Sequence, residues 1–173
     1  MPYFSHQKTM QMHPYLKNKI FDSSEELLKK VKEWKTTGDR IVFTNGCFDL
    51  IHPGHVDYLN RARDLGDRLV IGVNTDASVS DLKGPHRPIQ HESGRMQVLA
   101  SLACTDGLVL FSEETPKRLI EEVMPDVLVK GGDYTIETIV GAREVMANGG
   151  KVQVISFLEG YSTSALEKKI KAS

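Results

Sequence analysis

Residues 44–55 read TNGCFDLIHPGH. The run that leads into them, IVFTN at 41–45, is short and β-rich, as a buried strand is. The stretch that follows, from Gly54 to Leu65, places Val56, Leu59 and Ala62 near helical spacing, with Gly66 as a stop. Strand, glycine-bearing turn and helix in that order open an α/β alternation.

The alternation continues along the chain. RLVIGV (68–73), GLVLF (107–111), DVLVK (126–130) and KVQVIS (151–156) read as further buried strands. Helices are marked by Met96, Leu99 and Ala103, by Leu119, Ile120 and Val123, and by Ile136, Ile139 and Val140. A charged helix is expected over about 163–171. DLKGPHRPIQH (81–91) holds two prolines and a glycine and reads as a loop. Ahead of the first strand, Ser23 with Glu26 three residues on fits a capping box. It opens a helix carrying Leu27, Leu28, Val31 and Trp34, with Gly38 as its stop. Apolar strands alternating with helices belong to a parallel sheet covered on both faces. The expectation is one α/β domain over 23–173, a Rossmann-like doubly wound parallel sheet of about five strands. Residues 1–22 precede it as a loosely ordered or partner-binding arm.

Bulk properties bound the function. The 173 residues suit a single core, and 40% hydrophobic with 26% charged residues is ordinary for a folded chain. A net charge of −1 gives no global basic field, so no nucleic-acid partner is expected and an anionic ligand needs a local site. No run of about 18 apolar residues could span a bilayer, and the first twenty residues lack the apolar stretch of a signal peptide. No membrane partner is expected. Cys47 and Cys104 form no CxxC and read as free thiols of a cytoplasmic protein.

Ligands of doubly wound sheets bind outside the carboxyl ends of the strands. There the sequence puts Gly46 to His55, then Asn74 to Asp76, Lys130 to Tyr134, and Glu159 to Ser164. His52 and His55 flank a helix start, where free N–H groups and a partial positive charge favour phosphate. Pro53 has no N–H to leave unsatisfied, and Gly54 lets the backbone approach a ligand. A spacing of three puts both imidazoles on one side of the turn, and Asn45 to Phe48 add backbone N–H groups. Two other readings compete: a zinc site, for which HExxH and CxxC are lacking, and plain helix capping. The nucleotide loops GxxxxGK[ST] and GxGxxG are absent, so histidine and lysine donors would handle a nucleotide here.

TNGCFDLIHPGH resembles the signature of the HxGH nucleotidyltransferase superfamily, the cytidylyltransferase-like proteins. The resemblance continues through LGDRLVIGVNTD, LKGPHRPI, VLVKGGDY and EGYSTS, over about residues 39–171. VLVKGGDY and the ANGG at 147–150 are most similar to the D-glycero-β-D-manno-heptose 1-phosphate adenylyltransferase branch. That branch implies AMP transfer from ATP to heptose 1-phosphate, giving ADP-heptose and pyrophosphate for lipopolysaccharide core assembly. A glycerol 3-phosphate cytidylyltransferase is the alternative, but Phe157 and Leu158 stand where that group carries arginine and threonine. A regulatory module without turnover is a third reading, opposed by the intact HPGH, Lys83 and KGGD.

By resemblance, His52 and His55 contact the triphosphate, and Lys83 and Arg87 sit in a loop able to close over it. Asn45, Gly46, Cys47, Phe48, Gly54, Lys130 and Gly131 join the nucleotide site. Cys47 contributes through its backbone rather than its thiol, and Asp49 holds the loop. Asp133 either accepts from a ribose hydroxyl or stabilises a turn. Asn74 and Asp76 either cap the next helix or touch substrate. Ser162 and Thr163 cap the last helix while donating to phosphate. Arg95 is either a surface residue or a phosphate ligand. Mg²⁺ would enter with ATP, without assigned protein ligands. Relatives often carry a fused sugar kinase, so 173 residues lead us to expect a separate kinase; relatives also self-associate, so a homo-oligomer is expected among the partners.

Overall fold

The computed structural model describes residues 12–132 and 134–172, so the reading of Asp133 lies outside the described residues. Helix α1 (Pro14–Lys17) and strand β1 (Ile20–Phe21) precede α2 (Ser24–Thr36). Then follow β2 (Ile41–Gly46), α3 (Pro53–Arg63), β3 (Arg68–Asn74), α4 (Asp76–Lys83), α5 (Glu92–Ser101) and β4 (Gly107–Phe111). The chain ends with α6 (Lys117–Val123), β5 (Val127–Gly131), α7 (Ala142–Ala147), β6 (Lys151–Ile155) and α8 (Thr163–Ala172).

All strand pairs are parallel, in the order β1-β4-β3-β2-β5-β6. The chain winds outward from β2 through β3 to β4, then crosses to β5 and β6 on the other side. The winding therefore reverses beside β2, the place where doubly wound sheets open a crevice. Asn45 pairs in register with Gly72, and Gly46 with Val73, so β2 and β3 end level with each other.

The strands alternate between two cores, as the two-residue period of a pleated sheet demands. Val42, Leu69 and Ile71 face the layer of α3 and α5, against Leu59, Met96 and Leu99. Ile41, Phe43 and Val70 face the layer of α2, α6 and α7, against Leu27, Ile120 and Val145. Each of these strand residues is fully buried, which is why the strands read as continuous apolar runs.

Several details differ from the sequence reading. Residues 81–83, read as the start of a loop, form the end of α4, so Lys83 stands on a helix terminus capped by Gly84 rather than in the loop with Arg87. Among the described residues the sheet has six strands rather than about five. The extra strand, β1, lies within residues 1–22, pairing Ile20 with Leu108 and Phe21 with Val109. Part of the segment assigned to the arm thus belongs to the sheet edge. The helix expected around Ile136, Ile139 and Val140 is a single 3₁₀ turn, Ile136–Thr138, and α7 starts only after Gly141. Gly141 has φ +82°, and a Cβ there would meet Ile120 Cγ2 at 2.7 Å, so the chain turns at the one residue type that fits. Ser23 caps α2 by accepting from the Glu26 N–H at 3.2 Å, but Glu26 accepts from the Asp22 N–H rather than that of Ser23.

Phe43 lies mid-strand in the central β2 with no exposed surface. We expect Phe43→Ala to cost about 3–5 kcal/mol, seen as a lower urea midpoint with an unchanged slope. A loss below about 1 kcal/mol would contradict its place in the core.

Candidate functional site

The site begins where β2 becomes α3. Thr44 Oγ1 and the Tyr58 hydroxyl meet at 2.6 Å in the interior, fixing the strand end to the helix. Burial pushes the Tyr58 hydroxyl up to about 12, so it stays neutral. His52 is the N-cap of α3 and Pro53 its first residue. Gly54 lies under the His52 ring and against the loop before α8. A Cβ there would stand 3.0 Å from His52 Cε1 and 3.1 Å from Tyr161 Cβ.

The two histidine rings pack with centroids 3.9 Å apart. The His52 N–H donates to Nδ1 of His55 at 3.4 Å. A neutral imidazole that accepts at Nδ1 carries its proton on Nε2. Burial, with the repulsion that a protonated His55 would meet from a protonated His52 and from Lys83, lowers the His55 pKa to about 4. His55 at neutral pH is therefore an uncharged ring with an Nε2–H donor. Burial also lowers the pKa of His52, and among the described residues its buried Nδ1 has no hydrogen-bond partner.

Two cavities adjoin at the carboxyl ends of the strands. One, of 290 Å³, is walled by Asn45, Gly46, Cys47, Phe48, His55, Lys83, Lys130, Gly131 and Thr163 among others. The other, of 360 Å³, shares Asn45, Gly46, Cys47, Lys130 and Tyr134 and runs on over Phe111, Glu114, Leu128 and Ile139. Most of the residues expected to hold nucleotide thus line one cavity. Asn74 lines the second, and Gly54 supports the first from beneath His52. His52 instead borders a shallower depression beside Ile51 and Val56. Lys130 stands between the cavities, its ammonium donating to Asn45 Oδ1 at 3.2 Å. Burial lowers its pKa from the usual lysine value.

Two buried charges hold the surrounding loops. Asp49 is 3% exposed. Its carboxylate accepts from the Ile89 and Gln90 N–H groups at 2.9 Å and from the Arg87 guanidinium. Burial opposes its charge, but the Gln90 and Ile89 N–H groups and Arg87 outweigh that and hold its pKa below the usual aspartate value. The loop-holding role read for Asp49 thus has a definite form: it fastens residues 87–90 to the signature. Arg87, expected to bind substrate, has its guanidinium paired with Asp49 and with Glu167 of α8. Arg95 is 1% exposed and is neither a surface residue nor a wall of either cavity. Its side chain reaches Gln90 O, Cys47 O, Asn74 O and the Asp76 carboxylate. The sequence carried one hint: Arg95 lies four residues before Leu99, hence on the buried face of α5.

The remaining expectations divide between capping and lining. Thr75, not Asn74 or Asp76, caps α4, by accepting from the Ser78 N–H. Asn74 donates to Ser78 Oγ and accepts from the Cys47 thiol at 3.8 Å, while Asp76 is held by Arg95. Ser162 accepts from the Ala165 N–H and so caps α8, whereas Thr163 faces the smaller cavity. Among the described residues, no three His, Cys, Asp or Glu side chains gather into a metal-sized cluster. None of the described helices is long and apolar enough to cross a membrane. The apolar wall of the larger cavity was not read from the sequence, because Phe111, Leu128 and Ile139 are indistinguishable there from core.

The cytidylyltransferase-like family matches residues 43–169. The bifunctional protein HldE of Haemophilus ducreyi is 57% identical over 150 residues, 86% of this chain and 32% of that protein. The bifunctional protein HldE of Marinomonas sp. (strain MWYL1) is 54% identical over 147 residues, 85% of this chain and 31% of its own length. The chain therefore spans about a third of the length of these relatives. Among solved structures, a lipopolysaccharide core biosynthesis protein from Thermoplasma volcanium GSS1 superposes with a TM-score of 0.57 at 29% identity. The match covers 72% of this chain and all of the other.

The electrostatics of His55 can be tested by proton NMR. We expect its Cε1–H shift to titrate with a midpoint of about 4 in the free protein. The unfolded chain binds that proton near pH 6.5, so the stability tied to neutral His55 is present above that value and lost as pH falls through 6.5 towards 4. His55→Asn should accordingly flatten the fall in Tm across that window. A midpoint at 6.5 would contradict the buried, neutral ring.

Proposed function

Because the chain belongs to the cytidylyltransferase-like family, we propose that it is a nucleotidyltransferase that moves AMP from ATP to a sugar 1-phosphate, heptose 1-phosphate, releasing pyrophosphate. The observation that carries this reading is the smaller cavity. A neutral imidazole donor (His55) and two lysines (Lys83 and Lys130) line it beside the N-terminus of α3. That concentrates donors and positive charge within a chain of net charge −1. The motif resemblance to the heptose 1-phosphate adenylyltransferase branch supplies the choice of acceptor.

A sugar phosphate oxygen attacks the α-phosphorus and pyrophosphate leaves in line. The attacking oxygen is already anionic, so the site needs no strong general base, and an imidazole with a pKa of about 4 is a poor one. His55 acts as a donor through Nε2–H to an α-phosphate oxygen, where charge accumulates in the transition state. Lys83 and Lys130 neutralise the leaving pyrophosphate. The adjoining cavity, with Lys130 at the shared wall and Glu114 among its lining groups, takes the acceptor. Alignment of two substrates across one wall supplies much of the rate. Mg²⁺, when bound with ATP, supplies further charge neutralisation at the phosphates. Asp49 already accepts several protein hydrogen bonds, so the metal would be held chiefly by phosphate oxygens. We place the protein in the cytoplasm, consistent with two free thiols.

Cytidylyl transfer to glycerol 3-phosphate is less well supported. At the position of that group's arginine stands Phe157, whose ring packs against Gly131 and, edge-on, against Tyr58.

Pyrophosphate release with a panel of nucleotides and acceptors tests the reading. We expect release with ATP plus heptose 1-phosphate and none with CTP plus glycerol 3-phosphate; the reverse would overturn it. His55→Ala should lower kcat by roughly 10²–10³ with the fold intact, and near-normal turnover would remove its role. Lys83→Ala should lower kcat/KM for ATP by about tenfold or more, the worth of one charged hydrogen bond. An unchanged value would separate that lysine from the triphosphate.

A further inference from the structure

We propose that Arg95 is a positioning residue for the transfer. It holds the Cys47–Phe48 peptide so that the Phe48 N–H faces the smaller cavity and donates to a nucleotide phosphate. This rests on the reading of that cavity as the triphosphate site.

The side chain of Arg95 is fully buried. A guanidinium persists in such a place only when its donors are satisfied and its charge is balanced. Its bonds go to four separate segments. Nε donates to Gln90 O at 3.1 Å, Nη1 to Cys47 O at 2.5 Å, and Nη2 to Asn74 O at 2.6 Å and Asp76 Oδ1 at 2.9 Å. These are the loop before α5, the signature loop, the end of β3 and the first turn of α4. A planar fork can serve acceptors spread in this way, whereas a lysine ammonium concentrates its donors at one point.

The bond to Cys47 O has a stereochemical consequence. In a planar trans peptide the C=O and the following N–H point in opposite directions. With the Cys47 carbonyl drawn towards Arg95, the Phe48 N–H is turned away from the buried guanidinium, and Cys47 and Phe48 both wall the smaller cavity. Phe48 itself has φ +48°, a left-handed conformation that a bulky residue adopts only when its surroundings hold it. Among the described residues, the Phe48 N–H has no protein acceptor. Arg95 on one side and the bonds of Asp49 to residues 87–90 on the other clamp the strained residue between them. The outcome is a backbone donor prepared before the nucleotide arrives, which costs little reorganisation during reaction.

Amide NMR of the full chain with Mg·ATP, without acceptor, tests the proposal. We expect the Phe48 amide proton to move downfield on nucleotide addition in the wild type. In Arg95→Lys, Phe48 should lose this response while the Gly54 amide keeps its own. The same variant should melt cooperatively and show kcat lower by about 10². A silent Phe48 amide in the wild type, with Gly54 responding, would overturn the proposal and leave the adenylyltransferase reading standing; this needs no variant to fold. A folded Arg95→Lys with wild-type kcat would also overturn it. No response from any amide around the cavity would overturn both readings.

Discussion

The reversal of winding at β2 is the constraint from which the rest of the molecule follows. With β3 on one side and β5 on the other, the helices that leave the two halves of the sheet pass to opposite faces. A crevice then opens at the carboxyl end of β2. Both cavities lie along it and share the residues that end β2, Asn45 and Gly46. Strands β2 to β5 are largely buried on both faces and so cannot shift register cheaply. They therefore give the following loop a fixed origin.

Two charges convert that origin into a shaped site. Asp49 and Arg95 have opposite signs, both are buried, and both bond chiefly to other loops. Through Asp49 the signature is tied to residues 87–90, and Arg87 extends the tie to Glu167 on α8. Through Arg95 it is tied to the end of β3. Elements from four parts of the chain thus meet around one opening. The His55 ring that borders it stays neutral for a local reason. A protonated His55 would be desolvated beside Lys83 and His52, so the protein keeps it as a donor without charge.

What the sequence displayed and what it hid divide along physical lines. The five long strands and most helices were legible, because their apolar side chains recur with the period of a strand or a helix; β2 to β5 bury nearly all of theirs, whereas β6 buries only Ile155. The β1 strand was not: two residues, Ile20 and Phe21, carry no period, and their pairing with β4 is decided in three dimensions. The helix read across Ile136 to Val140 failed because its apolar residues pack as a 3₁₀ turn before Gly141 redirects the chain. At the site, His55, Lys83, Lys130 and Thr163 were named beforehand and come together. Arg87 and Arg95 were read as ligands or surface because an arginine's own letter says nothing about its partner. Only the placement of Asp49, Cys47 O and Asn74 O shows that these two cations are internal ties.

The central claim is that the triphosphate lies in the smaller cavity, against the first turn of α3. A crystal structure with ATP bound tests it most directly. The account predicts an α-phosphate oxygen within hydrogen-bond distance of His55 Nε2, with the outer phosphates beside Lys83. A triphosphate seated instead over Phe111 and Leu128, with His55 facing empty solvent, would contradict it.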